Sequence, residues 1–317
     1  MELDLIVSFQ KIGGLDGIMK ILSYPGSTPF LLATAALVYL GVDSKIGARL
    51  VFLFFFNEIF ITLCKLALHS PRPYWVDSRV NSFSSESDVY GLPSGHAQNA
   101  LTFWVGVATM MKTPWVWISA VVIILLVSIS RVYLGVHFIS DVIAGWILGG
   151  GFLGVFRWLE PKVVKWLTRL NLSAQILLAM ATSAISLLAG YGLRSVLAET
   201  LDPAAWASFS SKARQLDSLA MAAGGILGGV PGLAMSLRSA RFDAGGPLDK
   251  RVMRAAIGGA GGAAIYYGLG YLTPRGPEAV WILSIFLRTA LALFWVLFLT
   301  PWLSLKAGLA DPPGSLR

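Results

Sequence analysis

Reactive side chains are scarce in this sequence: it holds one cysteine, three histidines and only 13% charged residues among 317 positions. Cys64 stands alone inside an apolar stretch, which excludes a disulfide framework and a thiolate metal site. The charged share falls well below the roughly 25% usual in soluble domains, so a water-soluble globular fold is excluded as well. A net charge of +8 is scattered through short segments between apolar blocks. No continuous basic arm or base-reading element forms, and nucleic acid is not an expected partner. Residues 1–27 lack the basic start, clean apolar run and small-residue cleavage site of a secretory leader. Their periodic Leu, Ile and Phe positions predict an amphipathic segment at the membrane interface.

What the chain has in abundance is apolar length. Hydrophobic residues make up 56% of it, and they arrive in blocks near the roughly 20 residues needed to cross a hydrocarbon core of about 30 Å. The blocks predict nine spans, at 28–43, 47–68, 96–111, 114–131, 138–157, 172–191, 216–237, 252–272 and 279–300. Each must be helical, because lipid cannot satisfy open backbone groups. The expected fold is all-alpha, a polytopic membrane helical bundle, with an interfacial segment over 1–27, a core over 28–191 and a C-terminal transmembrane extension over 192–317.

Most basic residues in the connections, from Lys45 and Arg49 through Arg157 to Arg251 and Arg254, fall on one side of such a bundle. Positive charge in short loops marks the cytoplasmic side. The N-terminus is therefore expected outside and the C-terminus in the cytoplasm. The glycine pairs Gly224/Gly228, Gly225/Gly229 and Gly258/Gly262 permit close helix approach, within the chain or at a homo-oligomer seam. Arg288 falls inside the ninth span, where a charge calls for an ion pair or a wet cavity.

Three polar clusters meet the expected outer face. In Lys65–Pro73 (KLALHSPRP), Lys65 closes one span and Arg72 stands between prolines that end helical geometry. The pair reads either as a snorkelling lysine with a basic loop or as two cations for a phosphate, Arg72 with a planar two-donor fork and Lys65 with a compact charge. In Pro93–His96 (PSGH), Ser94 is placed to cap a helix whose free amides can hold an anion, and Gly95 lets the backbone approach. His96 stands where an imidazole can protonate a departing oxygen. In Ser130–Asp141 (SRVYLGVHFISD), His137 and Asp141 share a helical face four residues apart, while Arg131 ends the preceding span. Asp141 can fix one ring nitrogen and leave the other as a nucleophile, or the two can form a structural pair. No compact ligand set suggests a metal pair, so the cations Lys65, Arg72 and Arg131 are expected to supply the electrostatic stabilisation, with no cofactor.

In these residues the chain resembles the membrane-bound type 2 phosphatidic acid phosphatase superfamily. That signature runs Lys, six residues, Arg-Pro; Pro-Ser-Gly-His; Ser-Arg, five residues, His, three residues, Asp, and every position is met here. The resemblance implies a six-helix catalytic core followed by about three further spans. It also implies that His137 attacks phosphorus, Asp141 orients it, and His96 protonates the leaving oxygen and later helps activate water. Lys65, Arg72, Arg131, Ser94 and the Gly95 backbone would hold the phosphoryl oxygens, without a metal. The nine-span plan and Arg72-Pro73-Tyr74-Trp75 are more weakly similar to the glucose-6-phosphatase branch.

The implied partners are a phosphorylated lipid and the bilayer of a plasma or bacterial inner membrane. Among lipids, monophosphates and polyprenyl diphosphates both suit the site; a soluble sugar phosphate or a non-hydrolytic transporter role are the other readings. The hydrophilic segment before Pro93 is placed to cover a headgroup. Glu58, two turns before Lys65, either orients the groups around that lysine or forms a buried ion pair with it. His69 reads as a loop histidine, and Tyr74, Trp75, Trp115, Trp117 and Trp146 as anchors or packing.

Overall fold

A computed structural model of the chain describes residues 1–84, 89–198, 202–203, 206–274 and 276–314. Among the described residues all regular structure is helical. Two short helices, α1 (Glu2–Gln10) and α2 (Asp16–Ser23), lead through a tight turn at Tyr24–Gly26 into α3 (Thr28–Gly41) and α4 (Ser44–Leu68). A single turn, α5 (Pro73–Val76), precedes α6 (Gly95–Met111), α7 (Pro114–Tyr133), α8 (Ile139–Leu167) and α9 (Leu172–Ala198). Then follow α10 (Ala207–Ala213), α11 (Asp217–Ser239), α12 (Leu248–Leu272) and α13 (Glu278–Phe294), the last continuing through a π turn at Trp295–Leu299 into α14 (Thr300–Lys306).

Each expected span coincides with a helix, but the helices differ in their fitness to cross lipid. Six stretches are long and apolar enough: Ser44–Val76, Pro114–Tyr133, Ile139–Leu167, Leu172–Val196, Asp217–Ser239 and Glu278–Lys306. A seventh span is available if α2 with its turn and α3, bent by 47°, act as one. Helix α6 has only 17 residues, roughly 25 Å at 1.5 Å per residue, and is too short alone. Helix α12 has the length, but Asp249, Lys250, Arg251 and Arg254 in its first two turns and its run of glycines dilute its apolar character. The protein is thus an integral membrane protein of helical architecture.

The chain divides into two compact units. One comprises 1–31, 57–157 and 189–216, the other 32–56, 158–188 and 217–317. Every candidate site residue lies in the first.

Within that first unit, the N-terminal segment packs against the chain between α7 and α8. Met19 is buried with Tyr133, Leu134 and Val136. Phe9 meets the Tyr133 ring edge-on at 5.1 Å, and the Gln10 amide donates to the carbonyls of Asn81 and Tyr133 at 2.8 and 2.9 Å. Glu2 accepts from both the amide and the hydroxyl of Ser140 at 3.0 Å. Segment 1–26 is therefore bound to the same loop that carries His137.

In the second unit the glycine pairs serve packing inside the chain. Side chains at Gly224 and Gly228 would collide with the backbone of Phe286 and Ala290 on α13, and at Gly225 with the Phe55 ring. A Cβ at Gly258 would strike Leu40, and one at Gly262 would stand 3.2 Å from Val296. Arg288 lies over the rings of Tyr266 and Trp281, 4.5 and 5.0 Å from their centroids, with no carboxylate in ion-pair range among the described residues. Aromatic faces take the place of the expected ion pair.

Candidate active site

His137 sits in the turn between α7 and α8 and is 2% exposed. Its Nδ1 is 3.2 Å from Oδ2 of Asp141 in the first turn of α8, and the same oxygen accepts the Phe138 amide at 3.0 Å. That second bond fixes the carboxylate, which can in turn hold the proton on Nδ1 and direct Nε2 outward. Opposite Nε2, at 3.4 Å, stands a guanidinium nitrogen of Arg72. Burial, followed by the charges of Arg72, Lys65, Arg131 and His96, holds the imidazole of His137 well below its ordinary pKa. A neutral ring among cations is the state a nitrogen nucleophile needs.

Lys65 and Arg72 are held in place by backbone carbonyls. Lys65 donates to the carbonyls of Tyr90 and Gly91 at 2.5 and 3.2 Å. Arg72 donates to Val89 and Val136 at 2.6 and 2.7 Å. Gly91 permits this meeting of segments, since a Cβ there would lie 2.7 Å from the Pro71 carbonyl and 3.0 Å from Oδ2 of Asp141. Arg131, on the last turn of α7, donates to the Ser23 hydroxyl at 2.6 Å.

The start of α6 joins the same place. The Ser94 amide donates to the Asp141 carbonyl at 3.0 Å, and Gly145 on α8 leaves just enough room, because a Cβ there would lie 2.9 Å from the Ser94 carbonyl. Ser94 occupies the N-cap position, yet its hydroxyl makes no capping bond. This corrects the expectation of a capped helix. The hydroxyl oxygen is fully buried without a partner among the described residues, as a donor reserved for a ligand would be. Gly95 brings its backbone toward Lys65, a Cβ there standing 3.8 Å from the lysine Cε. His96 follows, half-buried, on a small open cleft of about 50 Å³ shared with Arg131, Ser23, Lys20, Tyr24, Ser84 and Leu134.

Glu58 belongs to a different network from the one anticipated. Its carboxylate accepts from the Asn99 amide at 2.5 Å, Asn57 donates to Asn99 at 2.7 Å, and Gln98 donates to Asn57 at 2.9 Å. This chain ties α4 to the first turns of α6, so Glu58 acts on the His96 segment and makes no ion pair with Lys65 among the described residues. His69 is a loop histidine, its ring edge-on to Tyr90 at 6.0 Å. Trp75 is packing, stacked on Phe209 at 5.3 Å. Of the hydrophilic segment before Pro93, residues 85–88 lie outside the described residues.

Sequence reasoning missed Ser23 and Lys20, which come from 108 or more residues away from Arg131, and the Asn57–Asn99 pair. The only available signal was polar side chains on otherwise apolar α4 and α6. Among the described residues no three His, Cys, Asp or Glu side chains converge as a ligand set.

A buried imidazole rests on a carboxylate with Arg72 at its other nitrogen, in a helical fold with spans long enough to cross a membrane, and the family and relatives that the chain matches make it a membrane-integral phosphatase. Residues 46–165 match the PAP2 superfamily and residues 220–312 match the PAP2 superfamily phosphatase, transmembrane extension. The chain belongs to the PAP2 superfamily. It is 34% identical over 160 residues to an undecaprenyl-diphosphatase of Sulfolobus acidocaldarius, covering 49% of this chain and 76% of that protein. To phosphatidylglycerophosphatase B of Bacillus subtilis it is 28% identical over 169 residues, 48% of this chain and 78% of that one. Lipid phosphate phosphatase delta of Arabidopsis thaliana is 26% identical over 180 residues, 52% of this chain and 43% of that one. No solved structure matches.

Proposed function

We propose that this phosphatase acts on a lipid phosphate at the extracytoplasmic face, cleaving a phosphomonoester or diphosphate headgroup through a phosphohistidine at His137. The observation that carries the reading is the orientation of that ring, with Nδ1 on Asp141 and Nε2 toward Arg72. Nε2 attacks phosphorus as the P–O bond to the lipid breaks, and His96 gives its proton to the leaving oxygen. Water deprotonated by His96 then cleaves the P–N bond, releasing phosphate and restoring both histidines. Lys65, Arg72, Arg131, the Ser94 hydroxyl and the Gly95 amide offset the charge on the phosphoryl oxygens, without a metal ion.

Similarity to proteins named undecaprenyl-diphosphatase and phosphatidylglycerophosphatase B supports both polyprenyl diphosphates and phospholipid monophosphates as substrates. The bias of basic residues in the sequence toward one set of alternate connections supports an outward N-terminus and a cytoplasmic C-terminus. Purified protein in detergent is expected to release phosphate from a panel of lipid mono- and diphosphates faster than from soluble sugar phosphates. The rate should be unaffected by chelator and absent in His137→Ala. Folded protein that binds lipid phosphates but releases nothing would point instead to a transporter.

A further inference from the structure

Three consecutive carbonyls hold Lys65 and Arg72. Val89 accepts from Arg72 at 2.6 Å, while Tyr90 and Gly91 accept from Lys65 at 2.5 and 3.2 Å. Where these carbonyls stand therefore decides where the two charges point. The Gly91 amide ties one end of the segment to the Ser70 carbonyl at 2.9 Å. Gly91 has no side chain and Val89 is half-buried, so the side chain that anchors the segment is Tyr90, which is fully buried.

The Tyr90 ring packs with Trp75 and Ala213 in one apolar cluster, and its hydroxyl meets two groups from far along the chain. The hydroxyl donates to Oδ2 of Asp202 at 3.2 Å, and Nε of Arg214 donates to the hydroxyl at 3.1 Å. Nη2 of Arg214 donates to the same Asp202 oxygen at 2.6 Å, which closes a ring of three hydrogen bonds. The Asp202 side chain is only 4% exposed and that of Arg214 18%. Charge-assisted bonds at such depth are strong, and these hold the tyrosine by its far end. Asp202 and Arg214 flank α10, whose Phe209 stacks on Trp75 at 5.3 Å. Neither residue falls within 46–165 or 220–312, the ranges that match the superfamily, yet both belong to the compact unit that carries the site.

We infer that Asp202 and Arg214 are positioning residues for the phosphoryl-binding cations, acting through Tyr90. The inference rests on the reading above in which Lys65 and Arg72 hold the phosphoryl oxygens. Lys and Arg are long side chains with much rotamer freedom, and whatever freedom they keep before phosphate arrives must be given up when it binds. Fixing the Tyr90 hydroxyl fixes the backbone at 89–91, and that backbone holds both cations in place ahead of the substrate. Without the hydroxyl bonds the ring is held by packing alone, and both cations lose definition together.

The test measures two quantities in detergent, kcat/KM for the lipid phosphate that the panel above shows to be turned over fastest and the inhibition constant of inorganic phosphate. The proteins are the unaltered chain, Tyr90→Phe, Arg214→Met and the double variant, each with a melting curve. In Tyr90→Phe, kcat/KM should fall about tenfold and the inhibition constant should rise by a similar factor, because free phosphate meets the same two cations. Arg214→Met removes one of the two bonds to the hydroxyl and should cost less. The double variant should match Tyr90→Phe alone, since without the hydroxyl Arg214 has no route to the carbonyls. Tyr90→Phe keeps the packed ring and leaves Asp202 paired with Arg214, so it decides the matter even where Arg214→Met fails to fold. Unchanged kcat/KM and phosphate inhibition in Tyr90→Phe, whatever its melting temperature, overturns the inference and leaves the phosphatase reading intact. A double variant whose loss is the product of the two single losses also overturns it, by showing that Arg214 acts along another route. No phosphate release from the unaltered protein, with His137→Ala indistinguishable from it, overturns the phosphatase reading and this inference with it.

Discussion

Oδ2 of Asp141 reaches back one helical turn to Nδ1 of His137, 3.2 Å away, and is itself pinned by the Phe138 amide. Both bonds follow from starting α8 at Ile139: the carboxylate in the first turn faces the backbone that precedes it, and the i, i+4 spacing puts the imidazole alongside. Asp141→Asn keeps the size of the side chain but can present an amide N–H to Nδ1, which selects the wrong tautomer. Phosphate release in that variant should fall by about 10³- to 10⁴-fold, the scale of losing the orienting carboxylate in comparable sites. His137→Ala should abolish acid-quenched labelling by a substrate carrying labelled terminal phosphate; retained labelling there would refute the nucleophile assignment.

The depressed proton affinity of His137 also makes a statement about stability. In the unfolded chain the imidazole titrates near 6.5, whereas the folded protein holds it well below that value. Above pH 6.5 both states are neutral and stability is unaffected. As pH falls below it, the unfolded chain binds a proton that the folded one refuses, so stability is lost until the folded pKa is passed. Removing the ring in His137→Gln should flatten the fall of melting temperature between pH 7 and pH 5, by at most about 1.4 kcal/mol per pH unit. Parallel curves for the two proteins would mean that His137 is not held neutral.

Much of the site was legible in sequence because its chemistry lies in short segments at helix ends, where spacing alone decides which residues share a face. His137 with Asp141 is such a case. Harder to read were contacts set by how helices meet. Nothing in the chain near Arg131 points to Ser23, nor anything near Asn99 to Asn57, because only the packing of separate helices brings them together. The same limit affected charges: Arg254, read as a cytoplasmic loop residue, is buried in α12 and donates to the carbonyls of Leu40 and Leu309 at 2.9 and 2.6 Å. Apolar length located the long helices, missed the short α5 and α10, and overstated α6, whose polar face is occupied by Gln98, Asn99 and Thr102.

That polar face gives Glu58 a testable part. Asn99→Ala removes the amide that meets the buried Glu58 carboxylate and also the acceptor for Asn57, which should cost about 1–3 kcal/mol of stability for each group left unsatisfied. Because the network anchors the first turns of α6, kcat should fall with little change in KM. Glu58→Gln retains an acceptor oxygen and should be much milder in both respects. Equal damage from the two variants would assign the role to the charge of Glu58.

Gly91 offers a steric test of the site's assembly. Its missing Cβ leaves room for the Pro71 carbonyl on one side and Oδ2 of Asp141 on the other. Gly91→Ala must push one of them away, disturbing the loop that positions Arg72 or the carboxylate that orients His137. The expected outcome is a loss of at least about tenfold in kcat/KM, on the view that small misplacements of positioned groups are costly. An active Gly91→Ala protein would show that these segments shift without consequence.

Sidedness is open to direct chemistry because the native chain offers one thiol. In a Cys64→Ser background, cysteine at the exposed position Ser82, in the loop before the Pro93–His96 turn, should react with an impermeant maleimide added to intact cells. Cysteine at the exposed position Leu248, at the start of α12, should stay protected until the membrane is opened. Ser82 sits beside Asn81, which Gln10 clasps, so its labelling reports the face that carries the N-terminal segment. Leu248 begins the helix whose first turns hold Lys250, Arg251 and Arg254, three of the basic residues on which the expected cytoplasmic side rests. The opposite labelling pattern would put the candidate site, with Lys65, Arg72 and Arg131, in the cytoplasm, and the phosphatase would then draw its substrate from the inner leaflet.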